Sequence, residues 1–162
     1  MQARFSSSPV SKSPSSSDRA TEHLILKTTP AIETESDRLA RRSTSEVFED
    51  HLRLRVAGAL EEDLRRNYAD DVLLLTCNSV LRSRDGIRAS ARRLREQLPN
   101  ATFHFTARQV ADCYALLVWT ADSDSCRVGC GADSFVIRNG KIRVQTVHYD
   151  LLDADPTNRR AP

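Results

Sequence analysis

Residues 133–150, DSFVIRNGKIRVQTVHYD, limit the possible folds more than any other stretch, because Asn139-Gly140 sits between two runs of alternating apolar and polar residues. Asn-Gly is the preferred two-residue hairpin loop: both positions take φ > 0 in a type I′ turn, whose twist matches that of the strands it joins. Such a turn sets Arg138 opposite Lys141. Uninterrupted pairing then sets Ile137 against Ile142, Phe135 against Val144, Asp133 against Thr146 and Gly131 against His148, all on one face by the strand period of two. The other face carries Ser134, Val136, Arg138, Lys141, Arg143 and Gln145. Only the first face is apolar enough to be buried, and it turns polar away from the loop. Asp133, Thr146 and His148 are therefore expected together beyond a collar of Phe135, Val144, Ile137 and Ile142. An apolar wall ending in a carboxylate and an imidazole is the pattern of a ligand pocket.

The rest of the chain supplies one domain around this hairpin. Of its 162 residues, the first 44 are a Ser/Pro-rich tail and mixed connector, expected to be disordered. Residues 45–153 form the domain and 154–162 a C-terminal tail. A net charge of +2 gives no field that calls for nucleic acid or a membrane surface. No apolar run approaches the ~18 residues that span a bilayer, and the leader has no secretory core, so a cytoplasmic protein is expected. The four cysteines, Cys77, Cys113, Cys126 and Cys130, include no CxxC pair and read as reduced, half-buried thiols, with no metal site expected. No Gly-rich phosphate loop, GxSxG or HExxH is present, so no cofactor is expected.

Three helices precede most of the strands. Ser43-Thr44-Ser45-Glu46 forms a capping box that starts the first, with Val47, Phe48, Leu52 and Val56 on or near one stripe, and Gly58 breaks it. Leu60, Leu64 and Tyr68, spaced by four, mark the second, which ends at NYADD before a strand VLLLT at 72–76. After a short strand at 80–82, Asp85 is expected to cap a third helix with Ile87, Ala91, Leu94 and Leu98 on one stripe, stopped by Pro99. Strands follow at 101–110 and 113–121, and the Asn-Gly hairpin closes the sheet. Helices early and strands late argue for an α+β fold with helices on one face of an antiparallel-dominated sheet.

Helix, helix, YADDVLLLT, a short hairpin, DGIRASARRL and long strands ending in GADSFVIRNGKIRVQTVHYDLL resemble the SnoaL-like branch of the nuclear transport factor 2-like superfamily. The resemblance implies a cone-shaped, curved mixed sheet around three helices, enclosing an apolar pocket, and commonly a homodimer. It also implies cofactor-free isomerases, cyclases and dehydratases alongside non-catalytic binding modules, so both remain open. In ketosteroid isomerase an oxyanion-hole aspartate is followed two residues later by phenylalanine, as Asp133 is by Phe135. The position of its general base falls on Thr76, and that of its helix tyrosine near Leu52, so two of its three catalytic groups are missing here.

Asp133 and His148 are the candidate catalytic pair. A carboxylate on an apolar strand face is desolvated, and it either ties the fold together or handles a proton. An imidazole beside it would shuttle protons or orient it. Leu52, Tyr68, Thr76, Phe103, Trp119, Phe135, Val144 and Thr146 are the candidate ligand contacts, for a small apolar molecule. If the pocket were instead filled by Phe103, Phe135 and Trp119, the chain would be a binding or dimerisation module. Asp70 and Asp71 read as turn-solvating carboxylates, and the arginines at 84, 88, 92, 93 and 95 as a solvated helix face. The outer face of the hairpin, with Val136, Val147 and Tyr149 among Ser134, Gln145 and Arg143, is the expected homodimer surface.

Overall fold

A computed structural model describes residues 33–154. The Ser/Pro-rich leader, its HLILK segment and nearly all of the expected C-terminal tail lie outside the described residues. Ordered structure begins earlier than the first expected helix. Helix α1 (Glu35–Ala40) opens on its own capping box, in which Thr34 Oγ1 accepts from Asp37 N and the Asp37 carboxylate accepts from Thr34 N. The stretch before residue 45 is thus not all disordered connector.

Helix α2 (Thr44–Val56) starts as the sequence indicates. Ser43 Oγ accepts from Glu46 N at 3.2 Å, and Glu46 Oε2 accepts from Ser43 N at 2.7 Å. It buries Val47, Phe48, His51, Leu52 and Leu54 and ends before Gly58, whose φ of +69° suits a residue without Cβ. Helix α3 (Leu60–Asn67) runs directly into strand β1 (Tyr68–Thr76), four residues earlier than VLLLT alone suggests. Lys141 ends α3 by donating to the carbonyls of Arg65 and Arg66, both at 2.8 Å. Burial, with Arg84 and Arg42 nearby, lowers the Lys141 pKa to about 8. After β2 (Ser79–Arg82), helix α4 (Ser83–Gln97) begins without a side-chain cap. Asp85 lies within its first turn and pairs with Arg88 instead of capping it.

Strands β3 (Thr102–Ala111), β4 (Tyr114–Asp122), β5 (Cys126–Arg138) and β6 (Lys141–Tyr149), with a short β7 (Leu152–Asp153), complete a seven-stranded sheet. Its order is β2-β1-β6-β5-β4-β3, with β7 on β5; β1 and β6 are parallel and every other pair antiparallel. The sheet is curved and unclosed, and α2, α3 and α4 pack into its concave side around Phe48, Leu64, Tyr68, Val72, Ile87, Phe135 and Ile142. This is the expected α+β cone.

The β5–β6 loop has the expected Asn-Gly geometry, with φ of +52° at Asn139 and +67° at Gly140. A Cβ at Gly140 would also strike the Leu39 carbonyl at the end of α1. Beyond the turn, however, the register departs from the uninterrupted one. Ile137 pairs with Ile142, but Val136 pairs with Val144, so Arg143 is an extra residue on β6. A single-residue bulge reverses the facing of everything after it. Phe135 therefore opposes Gln145, Asp133 opposes Val147 and Gly131 opposes Tyr149. Gln145, Val147 and Tyr149 face the concave side, whereas Val144, Thr146 and His148 lie on the outer face, where His148 is exposed. The expected outer-face trio is thereby split, since Val136 alone stays outside. The thiols also differ from expectation: all four are free, but Cys77 and Cys130 are exposed.

Candidate functional site

The helices do not fill the wide end of the curved sheet. A hollow of about 430 Å³ remains, within the ~300–1,000 Å³ usual for small-molecule sites. Its walls come from Leu52, Val56 and Leu60 on the α2–α3 side, Ile87, Ala91, Leu94 and Leu98 on α4, and Phe103, Phe105, Leu117, Trp119, Val147 and Tyr149 on the sheet. The Trp119 indole lies flat over its cross-strand partner Gly131, where any Cβ would run into the ring. Phe103 at 5.6 Å and Tyr149 at 5.5 Å continue this aromatic wall on either side.

Asp133 stands in the wall. Trp119 Nε1 donates to its Oδ1 at 2.9 Å and Gln145 Nε2 to its Oδ2 at 2.8 Å. Gln145 is fixed in turn by the Tyr68 hydroxyl, which donates to Oε1 at 2.7 Å. Burial raises the Asp133 pKa, and although the Trp119 and Gln145 bonds and the nearby His51 and Arg55 favour the anion, the net direction is upward. The side chain is deep but not sealed, because it borders the hollow.

The hollow is also lined by a histidine that the hairpin pattern does not reveal. His51 is 3% exposed, on the buried stripe of α2. Its Nδ1 faces both Asp63 oxygens, at 2.9 and 3.1 Å, and Asn67 Nδ2 donates to Asp63 Oδ1 at 2.9 Å. With Nδ1–H given to the carboxylate, a neutral imidazole carries its lone pair on Nε2. Nε2 has no partner among the described residues and is not a sealed polar atom, so it meets the hollow. Tyr68 and Phe135 hold the ring edge-on at 5.6 and 5.2 Å. Burial raises the Tyr68 hydroxyl pKa well above its ordinary value, with the Asp63 charge adding to the rise, so Tyr68 is a neutral donor here.

Of the residues singled out from sequence, the structure brings Asp133, Leu52, Tyr68, Phe103 and Trp119 to the hollow. Phe135 sits behind it, against Phe48 and His51. Thr76 is elsewhere, bonded at 2.6 Å to the Ser79 hydroxyl in the β1–β2 turn. Val144 and Thr146 line a shallow outer depression with Tyr114 and Leu116, and His148 does not reach the hollow. The bulge at Arg143 accounts for these last three. His51, Asp63, Gln145 and Arg55 are the site residues that sequence reasoning missed.

No protein-family model matches this sequence, and no curated protein matches it. Solved structures do. A nuclear transport factor 2-like protein from Burkholderia thailandensis superposes with a TM-score of 0.59 at 20% identity, over 67% of this chain and 92% of the other. A candidate ketosteroid isomerase from Kribbella flavida gives 0.55 at 16%, over 74% and 90%. A candidate SnoaL-like polyketide cyclase from Mesorhizobium loti gives 0.50 at 16%, over 67% and 100%. At these identities the likeness speaks for architecture alone: the chain has the nuclear transport factor 2-like fold, shared by SnoaL-like and ketosteroid isomerase-like structures.

Proposed function

We propose that the hollow binds a small, largely apolar carbonyl compound and moves a proton on it without a cofactor. The carrying observation is Asp133, a carboxyl with a raised pKa on the wall of an unfilled hollow that is also lined by His51, whose Nδ1 is held by Asp63. Phe103 and Trp119 border the space without filling it, which favours a ligand site over a packed module. His51 Nε2 takes a proton from the carbon beside the carbonyl, and Asp133 in its protonated form, which burial favours, donates its O–H to the oxygen as negative charge develops there. Asp63 stabilises the imidazolium that forms. Returning the proton to a different carbon gives an isomer, and loss of a neighbouring hydroxyl as water gives a dehydration; the Asp133 and His51 protons balance in both. Kinship of fold with isomerase- and cyclase-like structures supports this class.

Solvent deuterium exchange into 2-tetralone, an apolar ketone that fits the hollow, tests the reading by NMR. The protein should accelerate exchange, and Asp133→Asn or His51→Gln should each slow it about 100-fold, the scale of a lost general acid or base. Exchange no faster than in buffer, with 2-tetralone shown to bind, would leave a binding site without proton transfer.

A further inference from the structure

Six arginines among the described residues are partly buried: Arg42, Arg55, Arg66, Arg84, Arg88 and Arg143. Five have a carboxylate within ion-pair distance: Arg42 and Arg66 with Asp50, Arg84 with Asp70, Arg88 with Glu61 and Arg143 with Asp71. Arg55 has no ion pair and no side-chain hydrogen bond among the described residues. It is also the one of the six that lines the hollow. A half-desolvated guanidinium normally has an anion beside it, because its five N–H donors are costly to leave without acceptors. Asp133 does not meet that need: it forms no ion pair with Arg55, and each of its oxygens already accepts from Trp119 or Gln145.

Resting on the reading of the hollow as a ligand site, we infer that the ligand is an acid: an apolar body with a carboxylate that pairs with Arg55. Arg95, an exposed residue of α4 that also lines the hollow and has no ion pair among the described residues, adds a second positive charge there. The planar guanidinium matches a carboxylate through two parallel N–H bonds, while Leu52, Leu60 and Leu94, which line the hollow with it, favour a weakly hydrated monoanion over phosphate. The ligand then has a fixed direction, acid towards Arg55 and apolar body along Trp119, Phe103 and Phe105.

Adamantane-1-carboxylate and adamantane-1-carboxamide differ in charge but hardly in shape. Their binding to the full chain is measured by calorimetry and by the fluorescence of Trp119, the single tryptophan, which lines the hollow. The carboxylate should bind about tenfold or more tighter than the amide. Arg55→Gln should abolish that preference, with thermal melting showing both proteins folded. Equal affinities, or tighter amide binding, would overturn the acid preference and leave the hollow a ligand site. A preference that survives Arg55→Gln would overturn the role of Arg55. If neither compound bound at millimolar concentration, both the acid preference and the hollow as a ligand site would fall.

Discussion

Two groups of buried polar side chains, joined through the Arg42–Asn67–Asp63–His51 hydrogen bonds, differ in what their remaining hydrogen-bonding groups have left to do. In the first, Arg42 spans the junction of α1, α2, α3 and the hairpin. Its Nη1 donates to Asp50 at 3.1 Å and Asn67 at 2.8 Å, and its Nη2 to the carbonyls of Arg66 at 2.6 Å and Gly140 at 3.1 Å. Arg53 and Arg66 donate to Asp50 as well. In the second, the Tyr68–Gln145–Asp133–Trp119 chain gives each Asp133 oxygen one donor, and His51 Nε2 and Arg55 have no partner among the described residues. Burial alone thus does not distinguish a structural cluster from a working one. What distinguishes them is whether the groups are saturated by the chain or left facing a cavity.

The two clusters should respond differently to mutation and acid. Arg42→Ala carries the largest expected effect, a loss of about 3 kcal/mol in urea unfolding, since it takes the donor from Asn67 Oδ1 and from the Leu39 and Gly140 carbonyls and a cation from Asp50. A loss under about 1 kcal/mol would make that cluster no more structural than a surface pair. The pH dependence comes next. Burial alone would raise the Asp50 pKa, but the bonds from Arg53 and Arg66 outweigh it and bring the group from 3.8 to about 2. Its contribution is therefore present above pH 3.8 and lost as pH falls towards 2, by about 2 kcal/mol. Asp133 has the opposite sign: with its pKa raised above 3.8, its contribution is complete below that pH and is lost as pH rises. Asp133→Asn carries the smallest expected stability change, under about 1 kcal/mol at neutral pH. Gln145 and the Tyr68 hydroxyl can reverse their donor and acceptor roles to accommodate the amide. Relative to wild type, the variant should gain stability as pH rises above 3.8, and a loss matching that of Arg42→Ala would place Asp133 among the structural groups.

The same contrast explains what could be read in advance. The Ser43–Glu46 capping box and the Asn139-Gly140 turn are set by neighbouring residues, and both are found. Asp133 faces inward because it lies on the strand without the extra residue. Val144, Thr146 and His148 were misplaced because a bulge at Arg143 answers to the sheet's curvature and to β1, which pairs irregularly with β6 at the same place. No local pattern signals it. His51 and Arg55 did have a signal: positions 47, 48, 51, 52 and 55 form one continuous helical stripe. Reading only its apolar members hid the polar residues aimed at the hollow. Asp63 and Asn67, four apart on α3 beside Leu60 and Leu64, were hidden in the same way.

Carboxyl ¹³C NMR of the intact protein, titrated from pH 2 upward with Asp50→Asn and Asp133→Asn spectra for assignment, tests most directly whether the hollow is built to handle a proton. The account requires Asp133 to titrate above the ordinary 3.8 while Asp50 titrates near 2 in the same molecule. An Asp133 midpoint at or below 3.8 would contradict it, making the Trp119 and Gln145 bonds the dominant influence and Asp133 a permanently ionised structural acid.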